Sequence, residues 1–223
     1  MAFTTRSAQV LMRWLALALA LACLCAPVLA PALDNSRFME AATARGPRTA
    51  ASAQALIKLI ERTSKLDEVA RLSAVNSFFD ERIRYADDQE VWGVPDYWAS
   101  PLEMLQKGAG DCEDYAIGKY MALASAGVPI AKLRMVYVRA LLDGKSVAHM
   151  VLAYYAHPGA EPLILDNLVT EVKPASQRPD LTPVFSFNSE GLWNGVGASS
   201  MGNPVARLSQ WRDLLAKVKE EGF

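Results

Sequence analysis

Apolar residues recur at helical spacing in the first half of the chain and gather into short extended runs in the second. Between Ala53 and Glu61, Leu56, Ile57 and Ile60 share one helical face. From Leu66 to Phe79 the stripe is Leu66, Val69, Ala70, Leu72, Val75, Phe78 and Phe79. Both patterns predict plain core-forming helices. Ser100-Pro101-Leu102-Glu103 reads as an N-cap, a proline at the first helical position and a capping-box glutamate, so a short helix runs from Pro101 to Gln106. Ala116, Tyr120, Leu123 and Ala124 mark a further helix over 115–123, which Gly127 and Pro129 terminate. The character then changes. Residues 133–139, 147–155 and 162–168 read as strands, separated by turns at Asp143-Gly144 and Pro158-Gly159. Leu208, Trp211, Leu214, Leu215 and Val218 predict a C-terminal amphipathic helix that packs rather than binds a partner. Helices followed by an antiparallel meander are an α+β pattern.

The two ends refine this division. Residues 1–32 carry Arg6 and Arg13 ahead of an apolar core of eleven residues, Trp14 to Leu24, which is short for a membrane span and suits a secretory leader. Cleavage is expected after Ala32, with export to a periplasm. Residues 33–52, polar and alanine-rich, are expected to form a flexible N-terminal segment, and 53–223 a single domain. Without the leader the chain carries 21 basic against 24 acidic residues, net −3, and nothing argues for a nucleic-acid partner. One cysteine then remains, Cys112, which excludes an internal disulfide. A lone thiol in an oxidising compartment is a liability unless it is buried or used, and its polar neighbours argue against burial.

Cys112 stands in Gly108-Ala109-Gly110-Asp111-Cys112-Glu113-Asp114, at the start of a predicted helix. Unpaired N–H groups at a helix N-terminus favour a thiolate, whereas adjacent carboxylates oppose it. Acids in a first helical turn are explained by capping alone. Three around one nucleophile are equally explained by a hard divalent cation, calcium before magnesium, on Asp111 and Glu113 with Asp114 as a third ligand. Zinc does not suit them, because no second cysteine or histidine lies at ligand spacing. Upstream, Trp92, Tyr97 and Trp98 fit the core or the wall of a cleft equally.

The other half of the chemistry lies in the strands. An antiparallel pairing centred between His157 and Pro158 gives opposed residues a constant index total of 315, which sets His149 across from Asp166. Directly opposed residues have Cβ atoms about 4.5–5.5 Å apart, close enough for a carboxylate to hold an imidazole. An aspartate inside the apolar Leu163-Ile164-Leu165 run needs such a partner. Cysteine at a helix start, then histidine, then aspartate on neighbouring strands is the order of papain-like and transglutaminase-like cores. Cys112 is then the nucleophile, His149 the general base and acid, and Asp166 the residue that orients the imidazole. Asn167 is the alternative orienter but points to the opposite face.

The chain resembles the bacterial transglutaminase-like cysteine proteases of the LapG type. The likeness is carried by 96–103 (Asp-Tyr-Trp-Ala-Ser-Pro-Leu-Glu), 110–116 (Gly-Asp-Cys-Glu-Asp-Tyr-Ala), 149–152 (His-Met-Val-Leu), 165–168 (Leu-Asp-Asn-Leu) and 178–188. It spans residues 55–195. The resemblance implies a periplasmic, calcium-dependent protease that cuts a large surface adhesin near its N-terminus at a di-alanine site, dispersing biofilm. It implies a partner as well, an inner-membrane cyclic-di-GMP receptor of the LapD type, while the protease itself does not span the membrane. Cys112, His149 and Asp166 fall on the family's triad, and Asp111 and Glu113 on its calcium ligands, with Asp114 held less firmly. A transglutaminase or amidase with the same triad, and a binding module without catalysis, remain the other two readings.

Overall fold

The computed structural model describes residues 33–223. The expected leader, residues 1–32, lies outside them. No helix among the described residues is long and apolar enough to cross a membrane. Helices α1 (Asn35–Ala44), α2 (Pro47–Thr63) and α3 (Glu68–Arg82) come first. A two-residue strand β1 (Arg84–Tyr85), a single turn α4 (Asp88–Val91), α5 (Pro101–Lys107) and β2 (Ala109–Gly110) lead into the central helix α6 (Cys112–Ser125). Seven further strands follow: β3 (Leu133–Leu142), β4 (Lys145–Tyr154), β5 (Leu163–Leu165), β6 (Lys173–Pro174), β7 (Leu181–Phe187), β8 (Leu192–Asn194) and β9 (Ser200–Gly202). They form one antiparallel sheet in the order β6-β5-β4-β3-β7-β8-β9. The chain closes with the short α7 (Pro204–Arg207) and α8 (Ser209–Glu221). This is the α+β architecture that the pattern predicts, helices packed on one antiparallel sheet.

Local signals fix the parts nearest the site. The capping box of α5 is complete: Glu103 N–H donates to Ser100 Oγ at 3.1 Å, and Ser100 N–H donates to Glu103 Oε2 at 2.9 Å. Asp143 and Gly144, with φ of 50° and 77°, make the β3–β4 turn, the left-handed pair that a two-residue hairpin needs. Helix α6 is longer than its apolar stripe predicts, because it is buried on nearly all sides from Asp114 to Ala124. The sheet covers one flank and α3 another, so the usual polar face is missing. Trp211 of α8 packs edge-on against Tyr120 of α6 (5.6 Å) and Phe187 of β7 (5.2 Å), confirming α8 as a packing helix.

Two expectations need correction. Residues 33–52 are not a flexible segment. They form α1 and the start of α2, with Asp34 accepting from Ser36 and Arg37 N–H groups at 3.1 Å as the N-cap of α1. Phe38 is fully buried against Phe223, and Asp34 N–H donates to the Gly222 carbonyl at 2.7 Å. The partner of this weakly apolar helix is the far end of the chain, which no local periodicity reveals. The β4–β5 register also differs. Leu152 pairs with Leu165, Ala153 with Ile164 and Tyr154 with Leu163, an index total of 317 rather than 315. A slip of two residues preserves the face, so Asp166 still points toward His149, now as a diagonal neighbour just past the end of β5.

Candidate active site

Cys112 is the first residue of α6 and is partly buried. Asp111, which precedes it, makes no side-chain cap, so the first N–H groups of the helix are left for the cleft. The thiol shares that cleft, about 440 Å³, with His149, Asp111 and Glu113. Trp98, Tyr137, Phe185 and Leu208 wall it on the apolar side, and Tyr137 and Phe185 stack with centroids 5.2 Å apart. Of the three aromatics singled out upstream, only Trp98 faces the cleft. Trp92 and Tyr97 pack on each other at 4.4 Å, beneath Lys107 and Lys217. A slightly larger apolar cavity, about 500 Å³, lies between the far half of α6 and the C-terminus, but holds neither thiol nor imidazole.

His149 sits in β4 and is almost fully buried. Its Nε2 lies 2.8 Å from Asp166 Oδ1, leaving Nδ1 as the other ring nitrogen. Asp166 also accepts from Leu168 N–H at 3.1 Å and from Arg178 Nη2 at 2.7 Å. Burial pushes the Asp166 carboxyl up, but the His149 hydrogen bond and charge, Leu168 N–H and Arg178 outweigh it. The group lies below the ordinary carboxylate range. Asn167, the alternative orienter, makes no hydrogen bond to His149 among the described residues, and its Oδ1 is buried without a partner.

The helix side differs in character. One carboxylate oxygen each from Asp88, Asp111 and Glu113 come within 4.8 Å of one another. Asp88 Oδ2 accepts from Tyr97 N–H, while Asp88 Oδ1 and Asp111 Oδ1 are buried with no hydrogen-bond partner. Burial, then the charges of Glu113 and Asp114, push Asp111 up to about 9. Burial, with the charges of Glu113, Asp96 and Asp87 behind it, moves Asp88 to about 6 although the Tyr97 N–H opposes this. The Cys112 thiol donates to Glu113 Oε2 at 3.0 Å. Burial, then the Glu113 charge and hydrogen bond, then Asp111, hold it far above the usual thiol range, against a lowering contribution from Met150 N–H. A donor set of three clustered carboxylates with orphaned oxygens is the chemistry that fits a hard divalent cation.

Asp88 was not legible as part of this cluster, being 23 positions from Asp111 and lying in a single helical turn. Asp114, expected as the third ligand, stands elsewhere. It is fully buried, its Oδ1 accepts from Ala99 N–H at 2.8 Å, and it ties the loop before α5 to α6. Gly110 makes room for it: a Cβ there would lie 2.7 Å from Asp114 Oδ2.

The sequence model of the bacterial transglutaminase-like cysteine proteinases, BTLCP, matches residues 47–183. The chain belongs to that family. It is a cysteine protease of the bacterial transglutaminase-like type, similar to LapG of Legionella pneumophila. EGTA-treated Legionella LapG is 40% identical, with a TM-score of 0.75 over 84% of this chain and 99% of that one. A second LapG structure from the same organism gives 39% and 0.73, covering 84% and 97%. The calcium-bound form gives 38% and 0.69, covering 82% and 98%. No curated protein matches the chain.

Proposed function

We propose that this protease is a calcium-dependent endopeptidase of the periplasm, with Cys112, His149 and Asp166 as its catalytic triad. The observation that carries the residue assignment is the 2.8 Å His149–Asp166 contact on the wall of the cleft that holds the Cys112 thiol. In this mechanism His149 Nδ1 takes the thiol proton and Sγ attacks the scissile carbonyl carbon. The Cys112 N–H at the start of α6 donates to the oxyanion that forms. His149 returns the proton to the leaving amine as the carbon–nitrogen bond breaks, leaving a thioester. It then takes a proton from water, whose hydroxide attacks the thioester, and the thiolate departs. Asp166 holds the Nε2–H tautomer throughout and balances the imidazolium.

Asp88, Asp111 and Glu113 are the residues that would hold Ca²⁺. Bound there, the ion would supply positive charge against the carboxylates that raise the Cys112 pKa. The calcium-bound LapG among the similar structures supports that choice of ion. The substrate reading rests on the LapG resemblance: the N-terminal region of a large surface adhesin, cut at a di-alanine site, with release of the adhesin and dispersal of biofilm. A LapD-type inner-membrane cyclic-di-GMP receptor is the proposed regulator, competing at the cleft face. Exposed Tyr85, with Pro95 beside it on the cleft wall, offers an apolar rim for such a partner. Export rests on the leader-like residues 1–32.

The test mixes the purified protein and calcium with N-terminal fragments of large adhesins encoded nearby. Cleavage between two alanines, lost in Cys112→Ala and inhibited by the receptor's periplasmic domain, is the expected result. Amine incorporation in place of cleavage, or cutting by a folded Cys112→Ala protein, would overturn the reading.

A further inference from the structure

The hydrogen-bond network around Asp166 continues beyond the triad. Arg178, itself 4% exposed, points one guanidinium nitrogen at two carboxylates: Nη2 lies 2.7 Å from Asp166 Oδ2 and 2.7 Å from Asp180 Oδ2. Its Nε donates to Asp180 Oδ1 at 3.0 Å, so the Asp180 contact is a two-pronged fork. On the backbone side, Lys119 Nζ donates to the Asp166 carbonyl at 3.1 Å and pairs with Asp80 at 2.7 Å. The charged groups facing Asp166 are therefore His149 from β4, Arg178 and Asp180 from the turn into β7, Lys119 from α6 and Asp80 from α3. Of these, only His149 and Arg178 touch its carboxylate.

The two carboxylate oxygens have separate tasks. Oδ1 faces the imidazole, and Oδ2 faces Arg178. Rotation about the Cβ–Cγ bond would exchange them and tilt the plane that His149 Nε2–H meets. A guanidinium held by Asp180 blocks that rotation. It also keeps a buried carboxyl ionised, which a neutral neighbour would not. We propose that Arg178 is a positioning residue of this protease, fixing the plane of the Asp166 carboxylate so that its Oδ1 meets His149. This rests on the Cys112–His149–Asp166 reading. Lysine does not replace it, since an ammonium lacks the planar fork that spans both aspartates.

The experiment measures cleavage of a fluorogenic peptide with a central Ala-Ala bond, and the hydrogen exchange of the His149 ring N–H by nitrogen NMR. His157, exposed in a turn, is the internal reference. Arg178→Gln is expected to lower kcat by about 10–100-fold with KM nearly unchanged, the scale typical of a residue that orients a catalytic partner. The acid limb of the kcat/KM profile should move to higher pH, because Asp166 without the guanidinium takes a proton more readily. The His149 N–H should exchange faster while His157 does not change. Arg178→Lys should fall between wild type and Arg178→Gln in all three readouts. Should Arg178→Gln not fold, Arg178→Lys decides alone, and a lysine variant with wild-type kcat, pH profile and exchange overturns the proposal. So does a folded Arg178→Gln protein with those wild-type properties. Should the peptide not be cut, the exchange readout alone decides. Cys112→Ala runs beside these variants: if it still cuts, the triad reading itself fails, whatever Arg178 does.

Discussion

On the sheet side of the cleft, both carboxylate oxygens of Asp166 have donors, and Arg178 and His149 balance the charge. On the helix side, Asp88 and Asp111 each keep a buried oxygen with no partner, and Glu113 accepts from the Cys112 thiol. The contrast separates a preorganised half from a conditional half. The first draws its order from protein groups and holds whenever the chain is folded. The second brings three carboxylates within 4.8 Å of one another, and there Asp88, Asp111 and the thiol all have raised pKa values. A cation relieves that conflict; without one, Asp111 relieves it at neutral pH by keeping a proton. On the proposed Cys112–His149–Asp166 assignment, the histidine is set by the fold alone and the readiness of the cysteine depends on a bound cation.

The strongest way to break this comparison is to remove the residues where the two halves meet. Cys112→Ala and His149→Ala are expected to abolish cleavage, and Asp166→Asn to lower kcat by about 10³–10⁴-fold, the scale seen when a triad orienter is made neutral. Circular dichroism should show each protein folded. Residual cutting by folded Cys112→Ala would leave the halves with no shared chemistry.

A smaller, reversible effect comes from the helix side alone. A chelator should inactivate the wild-type protein, and Ca²⁺ should restore it better than Mg²⁺, whose octahedral shell suits a cluster of carboxylates less well. Saturation at a hundred times Kd should add about 2.7 kcal/mol of stability. Asp88→Ala, Asp111→Ala and Glu113→Ala should each weaken calcium binding in calorimetry. Asp114→Ala should lower the melting temperature and leave calcium affinity nearly intact, since its oxygen holds Ala99. Undiminished binding in Asp88→Ala/Glu113→Ala would move the ion elsewhere.

The smallest effect is on stability against pH. Asp88 and Asp111 have folded pKa values raised to about 6 and about 9 from 3.8. An acid with a raised folded value binds more protons folded than unfolded between the two values, so stability falls as pH rises through that window. In chelator the melting temperature should therefore drop as the pH rises from about 4 to about 9, with Asp88 contributing up to about 6 and Asp111 throughout, and with Asp114, which burial also raises, acting in the same direction. Calcium should flatten this slope. The sheet side has the opposite sign: Asp166 is depressed, so its contribution is present above the unfolded value and is lost as pH falls through the folded one. A chelated protein whose melting temperature rises from pH 6 to 9 would contradict the assignment of strain to the acidic cluster.

The sequence by itself determined what short-range rules govern. Ser100 and Glu103 are three residues apart, so their capping box is a property of the segment. Asp143-Gly144 specifies its hairpin because few other pairs tolerate positive φ twice in succession. The placement of Cys112 at a helix start follows from the glycines before it and the apolar spacing after it. Even the face of Asp166 was legible: the side-chain period of a strand is two, and the register error was two.

Tertiary structure decided what depends on neighbours distant in sequence. Helix α1 is ordered by Gly222 and Phe223, and its own stripe of Phe38 and Ala42 is too thin to announce it. Asp88 joins Asp111 because β1 and β2 pair in parallel and bring the turn at α4 beside the start of α6. Asp114 and Asp111 are indistinguishable as letters, and only the fold turns the first to the Ala99 N–H and sets the second beside Asp88 and Glu113. Arg178 reaches Asp166 through the turn that enters β7, a strand that sequence periodicity did not mark. Local chemistry chooses a residue's conformation, whereas the charge it meets is chosen by whichever distant segment folds against it.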